Sequence, residues 1–398
     1  MRILLLENIH PVAKETLEKK GFAVDLLAHS PAPSEMKELF KNYEIVGIRS
    51  KTKITKEILE NSRHLKAIGC FCIGTNQVDL IAAKKNGTIV FNAPHSNTRS
   101  VAELVLAEMI ALSRQLGDRN NLAHQGTWLK SAKGSNEIRG KVLGIVGYGH
   151  IGSQVSILAE AFGLNVIFYD ITKKLSLGNA RQVESLDELL KESDFVSLHV
   201  PETIETKNMI SKKQLSLMKA SSYLINASRG SVVFIDDLVD VLKNKKISGC
   251  AIDVFPIEPA SNNEKFSSPL QGLNNVILTP HIGGSTEEAQ HSIGIEVAES
   301  LSRYLQVGSS AGAVNFPNID VPRNIKSKRI VNIHKNQPGV LGMINGIISS
   351  EGANIDGQFL GTDEEIGYLV IDVHLDHVTN LYHKIKELEP SILTHVIS

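Results

Sequence analysis

The chain has 398 residues, of which 42% are hydrophobic and 21% are charged, and its formal net charge is -1. This length predicts about two or three domains, and the balanced charge excludes a global basic field for nucleic acid. No apolar run approaches the roughly 18 residues that would cross a membrane, and three cysteines are too few for a disulfide framework, which indicates a reducing, cytoplasmic compartment.

The first part of the chain alternates apolar runs with amphipathic helical patterns. The apolar runs predict strands at residues 2–9, 22–27, 43–48, 65–71 and 88–92. Between them, the spacing of apolar residues predicts helices such as 11–20 and 78–86. Strands and helices that alternate in this way form a parallel sheet with helices on both faces.

A long helix is predicted from Ser100, and a second alternating set follows it. Its strands are predicted at residues 142–146, 166–169, 195–200, 223–227, 250–254 and 276–278. This number and spacing of strands is typical of a Rossmann-type domain. A second long helix is predicted at 286–305. The segment 309–329 contains turn residues and a short basic cluster without aromatics, which is typical of a solvated linker rather than a nucleic-acid patch.

The last part of the chain has its own pattern. Strands are predicted at residues 330–335, 355–360, 368–375 and 392–397, and helices at 339–350 and 378–388. The resulting order, strand–helix–strand–strand–helix–strand, is that of a ferredoxin-like α+β fold.

A glycine fingerprint lies between the predicted strand 142–146 and a predicted helix at 151–162. Gly147 permits the tight turn, Gly149 lets a pyrophosphate approach the backbone, and Gly152 lets the helix pack closely on the sheet. The pyrophosphate would lie at the helix N-terminus, where free amide groups and the helix dipole attract anions. The segment therefore predicts a dinucleotide site.

Asp170 ends the next predicted strand, where an acid that binds the adenosine ribose is expected. A carboxylate at this position accepts hydrogen bonds from the ribose hydroxyls and repels a 2'-phosphate, so we expect NAD rather than NADP. Lys173 and Lys174 follow it, and they leave the absolute choice of cofactor open.

Three chemically reactive side chains each follow an apolar run in the second half of the chain: Arg229, Glu258 and His281. The planar fork of Arg229 can bind a carboxylate with two hydrogen bonds. His281 can move a proton near neutral pH, and Glu258 can hold the imidazole and stabilise its charged form. Beside a dinucleotide site, this set predicts hydride transfer on a hydroxy acid. No nucleophilic triad or metal-ligand cluster competes with it.

The segments 226–230, 253–259 and 279–285, in this order after the glycine fingerprint, resemble the D-isomer-specific 2-hydroxyacid dehydrogenase family. The resemblance extends over nearly the whole chain. It implies a Rossmann-type domain inserted in a flavodoxin-like substrate domain, followed by a ferredoxin-like ACT domain. The expected bounds are 1–96 with 285–322 for substrate, 97–284 for NAD and 323–398 for the ACT domain.

The resemblance also implies the residues of the site. Those expected to bind NAD are Gly147, Gly149, His150, Ile151, Gly152, Asp170, Asp253, Gly283 and Gly284, with Asp253 on the nicotinamide amide. Those expected to bind substrate are Arg49, Ser50, Gly74, Asn97 and Lys130, with Arg49 and Ser50 at a phosphate end. The segment with Trp128 and Lys130 is expected to reach across a dimer contact, although core packing of Trp128 is an alternative.

His334, Asn336 and Asn354 match positions at which ACT-containing members of this family bind serine between subunits. The alternative is a dimerising module without a ligand. The resemblance further implies a homotetramer, with no nucleic-acid or membrane partner and no metal.

For activity, the resemblance implies NAD-dependent oxidation of 3-phospho-D-glycerate to 3-phosphohydroxypyruvate, the first step of serine synthesis, with feedback inhibition by serine. Two alternatives stay open. One is oxidation of another 2-hydroxy acid, such as glycerate, lactate or 2-hydroxyglutarate. The other is a nucleotide-sensing binding protein of the same fold, which the tail disfavours.

Overall fold

The computed structural model describes residues 1–259, 263–322, 327–374 and 378–397. Two compact units divide the chain, one of Met1–Ser96 with Gln290–Ser398 and the other of Asn97–Ala289. Residues 323–326 of the predicted linker, and residue 375 of a predicted strand, lie outside the described residues. Among the helices that are described, none is both long enough and apolar enough to cross a membrane.

The first unit begins with a parallel five-stranded sheet. Its strands are β1 (Arg2–Leu6), β2 (Ala23–Leu27), β3 (Ile45–Ile48), β4 (Ala67–Cys70) and β5 (Ile89–Phe91). The order β2-β1-β3-β4-β5 is flavodoxin-like. The helices beside it are α1 (Pro11–Lys19), α2 (Pro33–Leu39), α3 (Lys56–Glu60) and α4 (Leu80–Asn86). The five predicted strands are confirmed, each with shorter ends.

The second unit contains a parallel seven-stranded sheet. Its strands are β6 (Val142–Val146), β7 (Asn165–Tyr169), β8 (Arg181–Gln182), β9 (Phe195–Leu198), β10 (Tyr223–Asn226), β11 (Gly249–Ile252) and β12 (Val276–Leu278). Its helices are α5 (Thr98–Ser113), α6 (Leu116–His124), α7 (His150–Ala161), α8 (Leu186–Glu192), α9 (Lys212–Leu215) and α10 (Ile235–Lys243). The order β12-β11-β10-β9-β6-β7-β8 confirms the Rossmann-type prediction.

The strand order of this sheet reverses between β6 and β9, which are hydrogen-bonded neighbours. In doubly wound sheets, ligands bind outside the carboxyl ends of the strands at such a switch point. The glycine fingerprint follows β6, so the fold places it at this crevice.

After α11 (Glu287–Val307), the chain forms an antiparallel sheet of β13 (Lys328–Lys335), β14 (Asn354–Thr362), β15 (Ile366–His374) and β16 (Ser391–Ile397). The helices are α12 (Val340–Ser350) and α13 (Thr379–Lys386). The order β14-β15-β13-β16 confirms the ferredoxin-like module. Its side chains Val331 and Tyr368 share a hydrophobic core with Leu301 of α11.

A buried ion pair ties this module to the end of α11. The Arg329 guanidinium donates to both carboxylate oxygens of Asp372 at 2.7 Å, and to the carbonyl oxygens of Val307 at 2.7 Å and Pro322 at 2.8 Å. The side chains of Arg329 and Asp372 are only 2% and 5% exposed. Asp372 therefore supplies the negative charge that balances this buried guanidinium, and the two carbonyl oxygens accept its remaining hydrogen bonds.

Asp372→Asn is expected to lower the free energy of unfolding by about 3–5 kcal/mol, because the buried Arg329 charge would lose its counter-charge. Urea unfolding followed by circular dichroism measures the change. Asp25→Asn is the matched control, since Asp25 pairs with Arg2 on the surface and should change stability far less. Equal effects of the two substitutions would contradict the prediction.

Candidate active site

The buried carboxylate of Asp253, which follows β11, holds the turn that carries His281. Its oxygens accept hydrogen bonds from Thr279 Oγ1 at 2.7 Å, Ile282 N at 2.8 Å and Gly283 N at 2.9 Å. The His281 N–H donates to the Asp253 carbonyl at 2.8 Å. His281 has a φ of 54°, which a non-glycine residue adopts only when its surroundings impose it. The turn is therefore prearranged by Asp253.

Both carboxylate oxygens of Asp253 already accept hydrogen bonds from the turn that carries His281. The contact of Asp253 with the nicotinamide therefore stays a prediction. Gly284 packs against Asn97, and a Cβ at Gly284 would collide with the Asn97 side-chain amide. Asn97 immediately precedes α5, and its Oδ1 is buried without a hydrogen-bond partner among the described residues. The predicted Asn97 and the glycine turn are thus adjacent.

The imidazole of His281 is hydrogen-bonded to Glu258. Its Nδ1 lies 2.9 Å from Glu258 Oε2 and 3.1 Å from Oε1, and Oε1 also accepts from Phe255 N at 3.0 Å. The His281 side chain is 51% exposed. Because Nδ1 faces the carboxylate, Nε2 is the ring nitrogen that can meet a substrate.

The hydrogen bond to Glu258 raises the pKa of His281, although burial opposes this. Burial acts to raise the pKa of Glu258, but the hydrogen bonds from His281 and from the Phe255 N–H bring that pKa below its usual value. The positive charge of Arg229 is close enough to lower the pKa of both groups. The structure thus brings the three predicted catalytic side chains into one electrostatic cluster.

Arg229 follows β10, and its backbone and side chain are held locally. Its Nη1 donates to the Ser228 carbonyl at 2.7 Å, and the Asn226 side-chain amide donates to the Arg229 carbonyl at 3.0 Å. A Cβ at Gly230 would collide with the backbone of Phe255. The loops after β10 and β11 are therefore in close contact, which brings Arg229 towards Glu258.

The glycine loop fits a dinucleotide pyrophosphate. Gly147 has a φ of 91°, and a Cβ there would collide with the His199 carbonyl, while a Cβ at Gly152 would collide with the Gly147 carbonyl. At Gly149, by contrast, no atom of a residue other than Gly149 and its two chain neighbours lies within 4 Å of where a Cβ would stand. The open space lies beside the first residues of α7, His150 and Ile151, so an anion can approach the helix N-terminus.

Asp170 follows β7 beside this loop. Its Oδ2 accepts from Tyr148 N at 2.9 Å, and its Oδ1 accepts from the Thr172 N–H and hydroxyl, each at 3.0 Å. Burial acts to raise the pKa of Asp170, but the N–H groups of Thr172 and Tyr148 bring it below its usual value. Oδ2 accepts one hydrogen bond and retains capacity for a ribose hydroxyl.

The substrate residues of the first unit follow its strands. Arg49 and Ser50 come directly after β3, and Gly74 lies in the loop after β4. These two loops are held by Glu7 and Gln77, neither of which is among the site residues predicted from the sequence. A charged residue directly after the apolar strand β1 was the available signal for Glu7.

Lys130 and Trp128 lie on an exposed segment after α6. The Trp128 side chain is 88% exposed, so the alternative of core packing within one copy of the chain is wrong. Its place in a dimer contact stays a prediction, as does the approach of Lys130 to an active site.

The predicted effector residues do not all meet in one copy. His334 pairs with Gly367 at the first end of β15, and Asn336 follows β13 nearby. Asn354 pairs with His374 at the other end of β15. Within the described residues, one copy therefore brings together His334 and Asn336, but not Asn354.

Comparisons with known proteins agree with this geometry. The family model "D-isomer specific 2-hydroxyacid dehydrogenase, NAD binding domain" matches residues 106–283, and "AHAS small subunit-like ACT domain" matches residues 330–392. The chain is 51% identical to the D-3-phosphoglycerate dehydrogenase of Haemophilus influenzae, over all of this chain and 97% of that protein. It is 49% identical to the Dictyostelium discoideum enzyme of the same name, over the same shares.

Among solved structures, the chain resembles the D-lactate dehydrogenase of Aquifex aeolicus, which was crystallised with NAD and lactic acid. The two share 30% identity and a TM-score of 0.69, over 79% of this chain and 100% of that one. A D-2-hydroxyisocaproate dehydrogenase superposes with a TM-score of 0.71 at 24% identity, over 79% of this chain and 100% of that one, which supports the fold alone.

Proposed function

Since the chain belongs to the D-3-phosphoglycerate dehydrogenase family, within the D-isomer-specific 2-hydroxyacid dehydrogenases, we infer that it is an NAD-dependent dehydrogenase. It oxidises 3-phospho-D-glycerate to 3-phosphohydroxypyruvate, the first step of L-serine biosynthesis. The observation that carries this inference is the His281–Glu258 pair near Arg229, in the same unit as the dinucleotide loop. That set supplies a proton acceptor, its orienting acid and a carboxylate anchor.

The proposed mechanism assigns one task to each side chain. Arg229 binds the substrate carboxylate through two hydrogen bonds and orients the carbon that bears the hydroxyl. His281 Nε2 accepts the hydroxyl proton, and Glu258 stabilises the imidazolium that forms. NAD, when bound, supplies the hydride acceptor. Gly149 would leave room for its pyrophosphate, Asp170 would accept hydrogen bonds from its ribose, and the Asp170 charge disfavours a 2'-phosphate.

The test follows NADH absorbance when the purified protein meets 3-phosphohydroxypyruvate, with hydroxypyruvate, pyruvate and 2-oxoglutarate as competing keto acids. Preferential oxidation of NADH by the phosphorylated acid supports the proposal. Preference for another keto acid would contradict the proposed substrate, but the protein would still be a dehydrogenase. Binding of NADH without turnover of any keto acid would favour the nucleotide-sensing alternative.

We also propose that L-serine inhibits the enzyme from the ACT domain and that the protein is a homotetramer. The separation of Asn354 from His334 along β15 supports a serine site shared by two copies. Mixed assemblies of His334→Ala and Asn354→Ala chains test this, because in a mixed pair one of the two shared sites carries both substitutions and the other carries neither, so half of the sites regain serine binding. No serine binding by the wild type would leave a dimerising module without this ligand, and equal binding in both single variants and the wild type would exclude His334 and Asn354 from the serine site.

We further propose a cytoplasmic location. All three cysteines are free thiols, which is typical of a reducing compartment. Fractionation of the cells that produce the protein checks this.

Glu258→Gln is expected to move the pH dependence of both reaction directions to lower pH. Glu258 raises the pKa of His281, so its removal lowers that pKa. Oxidation needs the neutral imidazole, so its rate increases as the pH rises through the His281 pKa. Reduction needs the imidazolium, so its rate decreases as the pH rises through the same pKa. Oxidation should therefore begin at lower pH, and reduction should fail at lower pH.

The measurement is the pH profile of kcat/KM in both directions. Glu15→Gln, an exposed carboxylate of α1, is the control for loss of one negative charge. Profiles that stay in place, or that move in opposite directions, would show that Glu258 does not set the His281 pKa.

A further inference from the structure

The buried carboxylate of Glu7 accepts hydrogen bonds from the backbone of the loop that follows β3. This carboxylate is 8% exposed. Its Oε1 accepts from Arg49 N at 3.1 Å and Thr52 N at 2.8 Å, and its Oε2 accepts from Lys51 N at 3.0 Å. Hydrogen bonds from backbone N–H groups to a carboxylate are about twice as strong as neutral ones. This one carboxylate therefore accepts three backbone N–H groups of the loop.

The backbone at Glu7 is in a conformation that its own preferences oppose. Glu7 and Asn8 have φ values of 61° and 50°, in the left-handed region that residues with a Cβ rarely adopt. Such a conformation persists only where the surroundings impose it. Here it directs the Glu7 carboxylate under the 49–52 loop, where three N–H groups meet it.

A second buried side chain links this loop to its neighbour. Gln77, which is 6% exposed, donates from Nε2 to the Arg49 carbonyl at 2.8 Å and to the Gly74 carbonyl at 3.2 Å. The amide thus joins the loop after β3 to the loop after β4. Both loops carry residues expected to bind substrate, so their spacing depends on Gln77.

These bonds leave the Arg49 side chain unengaged. Glu7 accepts from the backbone of Arg49 rather than from its guanidinium, and the guanidinium makes no ion pair within the part of the chain that is described. A carboxylate that paired with it would cancel the charge a phosphate needs. The arrangement fixes the loop and keeps the cation available.

We propose that Glu7 and Gln77 are positioning residues that hold Arg49 and Ser50 for the phosphate of the substrate, and so determine the preference for phosphorylated over unphosphorylated hydroxy acids. This inference rests on the proposed function. Glu7 and Gln77 do not touch the substrate themselves, but they set the positions of the residues that do. A glutamine at position 7 would present an N–H₂ group to a backbone N–H, and the loop would shift.

The test compares 3-phosphohydroxypyruvate with hydroxypyruvate, which differs only by the phosphate. For Glu7→Gln, loss of one or more buried hydrogen bonds should raise KM for the phosphorylated acid about tenfold, with kcat changed far less. KM for hydroxypyruvate and for NADH should stay near the wild-type values. Glu15→Gln on the surface of the same unit is the control.

Gln77→Ala provides an independent variant if Glu7→Gln does not fold, and it should show the same selective rise in KM. Equal losses on both keto acids, or no loss in folded variants, would overturn the inference alone. A wild-type enzyme that used hydroxypyruvate as well as its phosphorylated form would overturn the proposed function, and this inference with it.

Discussion

Replacing His281 by asparagine is expected to lower kcat by about 10²- to 10⁴-fold in both directions, the usual contribution of a positioned acid/base group. Asparagine can occupy the same turn, because the bonds from Asp253 reach backbone N–H groups and Thr279 rather than the His281 ring. It cannot accept or return the substrate proton. The loss should therefore fall on turnover, while NADH binding is retained.

Steady-state rates measure the loss of turnover, and the quenching of protein fluorescence by NADH measures the binding of NADH. His29→Asn is the control, since His29 is an exposed histidine of the other unit. A loss of kcat below tenfold in a folded His281→Asn protein would remove His281 from the role of acid/base.

Arg229→Gln is expected to lower kcat/KM by about 30- to 4,000-fold, because truncation of one partner of a hydrogen-bonded charge pair costs about 2–5 kcal/mol. A second effect identifies the cause. The charge of Arg229 lowers the pKa of His281, so the substitution should raise that pKa. Oxidation would then begin at higher pH, in the direction opposite to that expected for Glu258→Gln.

The pH profile of kcat/KM for 3-phospho-D-glycerate measures both the loss of activity and the shift of the His281 pKa. Arg181→Gln, which removes a guanidinium from a surface ion pair, is the control. If kcat/KM falls but the pH profile does not move upward, Arg229 acts on the substrate from outside the His281–Glu258 cluster.

Local chemistry explains why much of the site was predictable from the sequence. Gly147, Gly149 and Gly152 lie within one turn between a strand and a helix, and their tasks depend on neighbouring backbone atoms. Most strand positions were predictable from the apolar runs, because each parallel strand is buried on both faces. Helix α6 was missed because none of its residues is buried, so no apolar pattern marks it. Strand β8 was missed because it has two residues.

The sequence by itself determined the alternation of strands and helices, the ferredoxin-like order of the tail, the dinucleotide loop and the identity of the reactive side chains, since these depend on periodicity and on residues close together in the chain. Only the tertiary structure decided which buried carboxylates and amides hold the loops. Asp253 reaches Gly283 across 30 residues, and Glu7 reaches Arg49, Lys51 and Thr52 across 42 to 45. Such bonds leave no local pattern, because a buried carboxylate meets its N–H donors only after separate strands have brought their loops to one edge of a sheet.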